Sequence, residues 1–283
     1  MLAVASALSF AVTIVVNRSL AAAGLGVTTT LGIRFSTAAA VLLVVLSLRR
    51  APLLPAAGER LLVVGLGAFG YMAEATLFFL ALERGTAGAV SLLFYAYPAM
   101  VTLLELALGW ERAVPRNLAA LVLSAVGVGL VVAGGSDVSI SRAGVAFALG
   151  SAATFSVYLL ASDRLVRRTD SLTTGAWVAA GAGLSFLVRG AVEGQLRNPA
   201  GHVPALALNG LATASAFAFL FAALRRLGAT RASVVMTGEA LFAVVLAAVF
   251  LGEGLRPLQA VGGLGILVAT ALVAVSRRVP AEA

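Results

Sequence analysis

Long apolar runs follow one another along the chain, and short polar breaks separate them. A helix needs about 20 largely apolar residues to cross the roughly 30 Å hydrocarbon core of a bilayer, because each residue adds about 1.5 Å. Backbone groups in lipid must form their hydrogen bonds within the segment, so each run is predicted to be a helix. The pattern predicts an all-α integral membrane protein with ten transmembrane helices, near residues 2–22, 27–48, 60–82, 87–108, 117–134, 143–162, 172–189, 203–224, 231–251 and 258–276.

The first run also resembles a cleaved signal peptide, because it ends in the small residues Ala21-Ala22-Ala23. It has no basic segment before it, and the internal repeat described next requires it as a span. We therefore interpret it as the first transmembrane helix.

The two halves of the chain come into register when one is shifted by about 142–145 residues. Phe10 then falls on Phe155, and Pro115 falls on Pro257. Each half holds five predicted helices, and an odd number makes the second half start from the opposite side of the membrane. The sequence therefore predicts two inverted five-helix repeats, residues 1–137 and 138–283.

The arginines predict the orientation of these helices. All 20 basic residues are Arg, and with both termini in the cytoplasm 13 of them lie at the inner side, six at the outer side and one, Arg34, within a span. Inner loops of membrane proteins carry an excess of basic residues. Both termini are therefore predicted to be cytoplasmic.

Composition then excludes several classes of function. Hydrophobic residues make up 61% of the chain and charged residues 11%, against about 45–50% and about 25% in typical soluble domains. The chain has no Cys and one His, His202, so it has no candidate catalytic triad or metal cluster. The motif G-x-G-x-x-G at 65–70 lies inside an apolar run, where a dinucleotide loop does not fit. We predict no enzymatic activity, no metal, no cofactor and no nucleic-acid partner.

Charged residues inside the predicted spans are functional candidates, because they are costly at membrane depth. Arg34 and Glu74 should both lie roughly 10–12 Å below the outer surface. They form either a structural ion pair or a substrate site, in which Arg34 favours a carboxylate and Glu74 an ammonium group. Glu239 lies deep in the ninth span, whereas Glu105 is expected to reach cytoplasmic water.

Two spans carry matching interruptions. Pro98 follows Tyr95 and Tyr97 in the fourth span, and the repeat places Thr237-Gly238-Glu239 opposite them in the ninth. Proline removes a backbone hydrogen bond and glycine loosens a helix, and paired breaks indicate a substrate site near the midplane.

Two other spans add aromatic residues to this picture. Tyr158 lies in the sixth span, and Tyr71, Glu74 and Phe78 share one face of the third. Each ring alone could equally pack against lipid or core. Together with the two breaks they indicate one aromatic cavity.

Small residues recur on the last span of each half. The predicted packing positions are Ala120, Ser124 and Gly127 in the fifth span and Gly262, Ile266 and Ala269 in the tenth. Such spacing favours close helix packing.

A twice-occurring pattern carries a family resemblance. It runs from Ala81-Leu82 through Pro98 to Leu108-Gly109-Trp110-Glu111, and again from Ala223-Leu224 to Leu251-Gly252-Glu253. With Arg34-Phe35, it resembles the EamA domain of the drug/metabolite transporter superfamily over nearly the whole chain. The aromatic fourth span is similar to the branch that exports aromatic amino acids. The resemblance implies a bacterial inner-membrane exporter with a central cavity, lined by residues that include Phe78, Tyr95, Tyr97, Tyr158 and Glu239.

The sequence thus predicts a secondary transporter that exports small metabolites, amino acids including aromatic ones, by alternating access. Its partners are a small-molecule substrate and membrane lipid, and no oligomeric state is assigned. Proton coupling through Glu74 or Glu239 and facilitated diffusion remain open. The alternatives are an exporter of drugs or cationic compounds with the same fold, a membrane-embedded enzyme or lipid-handling protein, and a non-transporting assembly or sensor protein.

Overall fold

The computed structural model describes residues 1–110, 114–135, 140–251 and 256–275. Within these residues the structure is helical, with a single isolated bridge between Gly85 and Ile140. A π-helix, Leu66–Tyr71, joins the third α-helix to the fourth. The α-helices are α1 (Leu2–Ala22), α2 (Val27–Leu48), α3 (Arg60–Gly65), α4 (Met72–Leu82), α5 (Ala87–Phe94), α6 (Tyr97–Ala107), α7 (Pro115–Gly135), α8 (Arg142–Leu165), α9 (Ser171–Val192), α10 (Val203–Leu227), α11 (Ala229–Met236), α12 (Gly238–Leu251) and α13 (Pro257–Val275).

Nine helices, counted within the described residues, are long and apolar enough to cross a membrane. Three of these spans are built from consecutive segments: α3 to α4 (Arg60–Leu82), α5 with α6 (Ala89–Ala107), and α11 with α12 (Ala229–Phe250). The apolar part of α13, Pro257–Leu272, is shorter than a full span. The all-α, multi-pass membrane class is confirmed, and a tenth transmembrane helix stays a prediction.

The chain divides into two compact units. The first unit comprises Met1–Met72 and Ala161–Arg225, and the second comprises Ala73–Leu160 and Arg226–Ala283. Each unit takes helices from both predicted repeats, so a compact unit is not a repeat. The repeat boundary at 137–138 and the C-terminus after residue 275 lie outside the described residues. The inverted repeats and the cytoplasmic termini stay predictions.

In the first unit, the segment from α3 through the π-helix packs against α9 with backbone touching backbone. A Cβ atom added at Gly67 would lie 2.0 Å from the carbonyl oxygen of Val178, and one added at Gly181 would lie 2.3 Å from that of Val64. Residues 65–70, which carry the G-x-G-x-x-G pattern, end α3 and form most of the π-helix. Here Gly67 permits helix packing, and the segment is helical instead of a loop between a strand and a helix.

In the second unit, α7 packs against α13. A Cβ atom at Gly262 would lie 2.4 Å from the carbonyl oxygen of Gly127, and one at Gly127 would lie 2.7 Å from that of Gly262. Ile266 is fully buried beside this contact, together with Val131. The small-residue pattern therefore serves close helix packing, as predicted.

Asp170 caps the first turn of α9 at one end of the first unit. Its Oδ1 accepts hydrogen bonds from the backbone nitrogens of Leu172 at 3.0 Å and Thr173 at 3.2 Å. These groups are among the four N–H donors at a helix start that have no partner within the helix. The cap thus fixes where α9 begins.

We expect Asp170→Ala to destabilise the protein by about 1 kcal/mol, because the substitution removes this cap. Thermal unfolding of the purified protein in detergent measures the effect as a lower melting temperature. Asp170→Asn keeps a side-chain oxygen at the same position and should melt close to wild type. Equal losses in the two variants would contradict the capping role.

Candidate functional site

Six aromatic rings of the second unit, which we call the aromatic cluster, are connected by ring contacts, and Phe79 adjoins this cluster at 6.4 Å from Phe78. Three helical segments supply it: α4, the α5–α6 segment and α8. The ring-centroid distances are 5.4 Å from Phe78 to Phe94, 6.0 Å from Phe94 to Tyr95, 5.4 Å from Phe94 to Tyr97, 6.3 Å from Tyr95 to Tyr97, 4.9 Å from Tyr97 to Phe155 and 5.7 Å from Phe155 to Tyr158. The structure therefore brings together four of the residues singled out in the sequence: Phe78, Tyr95, Tyr97 and Tyr158.

Sequence reasoning missed the residue at the centre of the cluster. Phe94 contacts four other rings, including Phe155 at 5.4 Å, which was also missed as a site residue. Two features of the sequence could have indicated Phe94 and Phe155. Phe94 adjoins Tyr95 at the helix interruption, and Phe155 precedes Tyr158 by three residues, which places both on one helix face.

The fourth span is interrupted next to this cluster. Helix α5 ends at Phe94, Tyr95 and Ala96 form a turn, and α6 begins at Tyr97 with Pro98 in its first turn. Pro98 has no N–H group, so it cannot donate to the carbonyl of Phe94 four residues earlier. Its fixed φ suits the start of a new helix. The break thus leaves Tyr95 in the turn and Tyr97 at the head of α6.

The ninth span is interrupted at the corresponding place. Helix α11 ends at Met236, Thr237 lies in a turn, and α12 begins at Gly238. The nitrogen of Thr237 donates to the carbonyl of Val234 at 3.2 Å, and that of Ala240 donates to Thr237 at 3.1 Å. These bonds span three residues instead of four, so the helix tightens locally at the break.

Buried hydrogen bonds tie the two breaks to their neighbours. The Tyr97 hydroxyl donates to the carbonyl of Ser233 in α11 at 3.3 Å, and the Ser156 hydroxyl in α8 donates to the carbonyl of Tyr97 at 3.1 Å. The hydroxyls of Thr237 and Ser124 in α7 lie 2.7 Å apart. Polar groups are thus collected around the breaks, within an otherwise apolar bundle.

Glu239 lies in the first turn of α12, where the partial positive charge of the helix start favours a carboxylate. It is half-buried at the break of the ninth span, and the Tyr97 hydroxyl reaches the segment before this break through its hydrogen bond to the Ser233 carbonyl. The second unit therefore combines two tyrosines with one carboxylate at its pair of helix breaks. Such a combination can hold a cation through ring faces and charge.

Glu74 and Phe78 occupy the same helix, α4, at the edge of this arrangement. Glu74 is buried, and the Ser151 hydroxyl of α8 donates to its Oε1 at 3.2 Å. Tyr71, the third member of the predicted stripe, ends the π-helix in the first unit and packs on Phe35 at 4.8 Å. A single cavity that contains all three stays a prediction.

Arg34 belongs to the first unit, where it is 5% exposed. Its Nε donates to the Thr213 hydroxyl at 2.6 Å, and its guanidinium carbon lies 4.8 Å from the centre of the Phe35 ring. Both interpretations of Arg34, as a structural partner or as a substrate contact, stay predictions.

The expectation that Glu105 reaches water is wrong. Glu105 is 3% exposed because α11 packs against α6. The Thr230 hydroxyl of α11 donates a hydrogen bond to the Glu105 carboxylate. The position of Glu105, three or four residues from the predicted cytoplasmic end of the fourth span, suggested exposure. The start of the ninth span covers the carboxylate instead.

Over the part of the chain that the structure describes, no three His, Asp or Glu residues are grouped closely enough to hold a metal ion. The candidate site is therefore defined by rings, hydroxyls and single carboxylates. These groups can bind and orient a small organic molecule.

A multi-pass helical bundle with two interrupted helices and a polar, aromatic site has the architecture of a membrane transporter. The model of the EamA-like transporter family matches this chain twice, over residues 1–133 and 142–275. The chain belongs to this family, within the drug/metabolite transporter superfamily.

Two curated relatives are transporters as well. The chain is 29% identical over 214 residues to the threonine/homoserine exporter RhtA of Escherichia coli (strain K12), covering 74% of this chain and 68% of that protein. It is 25% identical over 219 residues to the uncharacterized transporter YcbK of Bacillus subtilis (strain 168), covering 71% of this chain and 68% of that protein. A solved crystal structure has the same fold, with a TM-score of 0.78 and 20% identity over 95% of both chains. The family and the named relatives are transporters and not enzymes.

Proposed function

We propose that this protein is a secondary transporter that exports amino acids, aromatic ones included, across the bacterial inner membrane. The observation that supports this most directly is the meeting of two helix breaks, a carboxylate and the aromatic cluster in the second unit. The named exporter RhtA, which is similar over 74% of this chain, supports amino acids as the substrate class.

The chemistry of the site suits a free amino acid. An ammonium group is attracted by the Glu239 carboxylate and by the faces of Tyr95 and Tyr97, since aromatic rings carry a negative face. Apolar and aromatic side chains gain from contact with Phe78, Phe94 and Phe155, because ring pairs stabilise one another beyond simple burial. The direction of transport, export, is inferred from the similarity to the exporter RhtA.

Alternating access is the mechanism that we propose for this exporter. The family match at residues 1–133 and 142–275 supports a duplicated architecture. Two halves of opposite orientation can expose one site first to the cytoplasm and then to the outside. The interrupted helices would serve as the elements that rearrange, because their broken backbone hydrogen bonds make bending less costly.

An exporter of cationic compounds is the second candidate function. Glu239 beside Tyr95 and Tyr97 would also bind an organic cation that has no carboxylate. The two functions differ in whether the substrate must carry a carboxylate group, and a panel of labelled substrates separates them.

The experiment is uptake into liposomes that contain the purified protein. The substrates are labelled phenylalanine, threonine, glucose and tetraphenylphosphonium. We expect phenylalanine and threonine to be transported and glucose to be excluded. Transport of tetraphenylphosphonium without either amino acid would favour the second function, and transport of none of the four would contradict both.

We expect Tyr95→Ala to lower the rate of phenylalanine uptake at low concentration about tenfold, which corresponds to about 1.4 kcal/mol of lost ring contact. Phe250→Ala is the matched control, because Phe250 lies in the same unit with 72% of its surface exposed. Wild-type uptake by Tyr95→Ala, or an equal loss in both variants, would remove the aromatic cluster as the substrate site.

A further inference from the structure

Arginines are concentrated at one end of the first unit, which we call the basic end. The loop between α2 and α3 and the end of α8 with the turn after it supply six exposed arginines: Arg49, Arg50, Arg60, Arg164, Arg167 and Arg168. Arg225 of α10 lies at the same end, because its Nη1 is 3.7 Å from the Oδ2 of Asp170, the residue that caps α9.

Hydrogen bonds fix the α2–α3 loop against the start of α9. The Thr173 hydroxyl donates to the carbonyl of Pro52 at 2.6 Å, and the indole nitrogen of Trp177 donates to the carbonyl of Leu53 at 2.7 Å. The loop is thus held beside the turn between α8 and α9. The arginines of these two segments therefore belong to one surface.

Carboxylates balance only part of the charge at the basic end. Three arginines each lie near one carboxylate, in the pairs Arg167–Asp163, Arg168–Glu59 and Arg225–Asp170. Seven arginines and three carboxylates leave a net charge of +4. Among the described residues, no carboxylate forms an ion pair with Arg49 or Arg50. These two neighbouring guanidinium groups are exposed and can bind an anion.

Exposed leucines flank the arginines of the loop. Leu48 is 80% exposed and directly precedes Arg49 and Arg50. Leu61 is 89% exposed and directly follows Arg60. A surface that alternates leucine with arginine fits a membrane surface, where apolar groups enter the acyl boundary and basic groups meet the headgroups.

The ends of two spans place this loop at the level of the headgroups. Helix α2 and the span Arg60–Leu82 are both long and apolar enough to cross a membrane, and the loop joins them. Trp177, which bonds to the loop, is of a residue type that is enriched at the membrane–water interface. The phosphate groups of lipids are therefore the anions nearest to Arg49 and Arg50.

The chemistry of the surface favours an anionic phospholipid over a soluble anion. A guanidinium group forms two parallel hydrogen bonds with a phosphate. A soluble phosphate would satisfy the arginines and leave the neighbouring leucines in water, whereas a lipid also covers the leucines. A net charge of +4 favours a headgroup without a cation of its own.

We propose that the basic end of the first unit binds the headgroups of anionic phospholipids. Arg49 and Arg50 contact the lipid phosphate, Leu48 enters the acyl boundary, and the bonds from Thr173 and Trp177 hold the loop in position. This interface is independent of the substrate. It does not depend on the proposed function.

The test measures which lipid lies next to Trp177 in the full chain. The chain has two tryptophans, so Trp110→Phe leaves Trp177 as the single fluorophore. The protein is inserted into vesicles of phosphatidylcholine and phosphatidylglycerol, of which one carries brominated acyl chains that quench tryptophan. Brominated lipid is present in both leaflets, so the orientation of the inserted protein does not affect the result. We expect Trp177 to show at least a tenfold preference for phosphatidylglycerol.

Substitution of the two arginines should reduce this preference. We expect Arg49→Gln to lower it about fivefold, which is the contribution of one basic group near an anionic surface, and Arg49→Gln with Arg50→Gln to lower it further. Replacement of both by Lys keeps the charge and should keep most of the preference. Arg142→Gln with Arg256→Gln is the matched control, because it removes two exposed arginines outside the basic end.

Size-exclusion chromatography establishes that each variant is folded, and the single variant Arg49→Gln decides the matter if the double variant is not. An equal loss in the control pair would show that the preference reflects net charge alone and would overturn the site. A wild-type protein without preference for phosphatidylglycerol would do the same. Excess inorganic phosphate at constant ionic strength should leave the preference unchanged, and its loss would show that the arginines bind a free anion instead of lipid.

Discussion

Gly67→Ala is expected to prevent the first unit from folding. The added methyl group would lie 2.0 Å from the carbonyl oxygen of Val178 and 3.0 Å from the nitrogen of Ala182. Both atoms belong to the backbone of α9, so no rotation of a side chain can relieve the overlap. The π-helix and α9 would have to separate. Overpacking of a core costs about 1–3 kcal/mol, and a backbone-to-backbone overlap lies at or above the upper end.

The measurement is the yield of monodisperse protein in size-exclusion chromatography, followed by thermal unfolding. Gly65→Ala is the matched control, because no atom lies within 4 Å of its added Cβ. That variant should keep or raise the melting temperature, since Ala is favoured over Gly in a helix by about 1 kcal/mol. Normal yield and melting temperature in Gly67→Ala would contradict the close contact between the π-helix and α9.

Glu239→Gln is expected to lower the efficiency of amino-acid export by about 10- to 100-fold. The substitution keeps the shape of the side chain and removes its charge. A hydrogen bond to a charged group contributes about 1.5–3 kcal/mol, and each 1.4 kcal/mol is tenfold. The loss should appear in the uptake of phenylalanine at low concentration, because Glu239 is proposed to hold the substrate ammonium.

Glu83→Gln is the control for this prediction, because the Glu83 side chain in the same unit is 66% exposed and should not affect uptake. The substrate 3-phenylpropionate gives an internal comparison, since it has no ammonium group for Glu239 to hold. Its uptake should be unchanged or higher in Glu239→Gln. A variant that transports phenylalanine at the wild-type rate would exclude Glu239 from the site.

The helices could be predicted from the sequence because each depends on residues that are close together in the chain. Each apolar run is long enough to cross a membrane, and Pro98 removes a backbone hydrogen bond wherever the helix lies. The structure accordingly has a break just before Pro98 and another just before Gly238. The roles of Tyr95, Tyr97, Tyr158 and Glu239 in substrate binding stay predictions.

The wrong expectation and the missed contacts all involve residues that are far apart in the chain. Glu105 was expected to reach water because it lies near the predicted cytoplasmic end of the fourth span, yet Thr230, which is 125 residues away, donates a hydrogen bond to it. The G-x-G-x-x-G pattern gave no hint that Gly67 touches Val178 of α9. Asn17 and Asn209 are 192 residues apart in the chain. Nothing in the sequence indicated that the Nδ2 of Asn209 lies 2.7 Å from the Oδ1 of Asn17.

The sequence by itself determined the class of this protein: apolar runs of spanning length, an internal duplication and a biased distribution of arginine. These properties depend on composition and spacing. Each segment responds to lipid and water independently of the rest of the chain. The tertiary structure decided which side chains meet: Phe94 at the centre of six rings, Gly67 against α9, and Arg34 with Thr213 and Asn209. Such contacts join residues that are far apart in the chain, and they form only when whole helices pack.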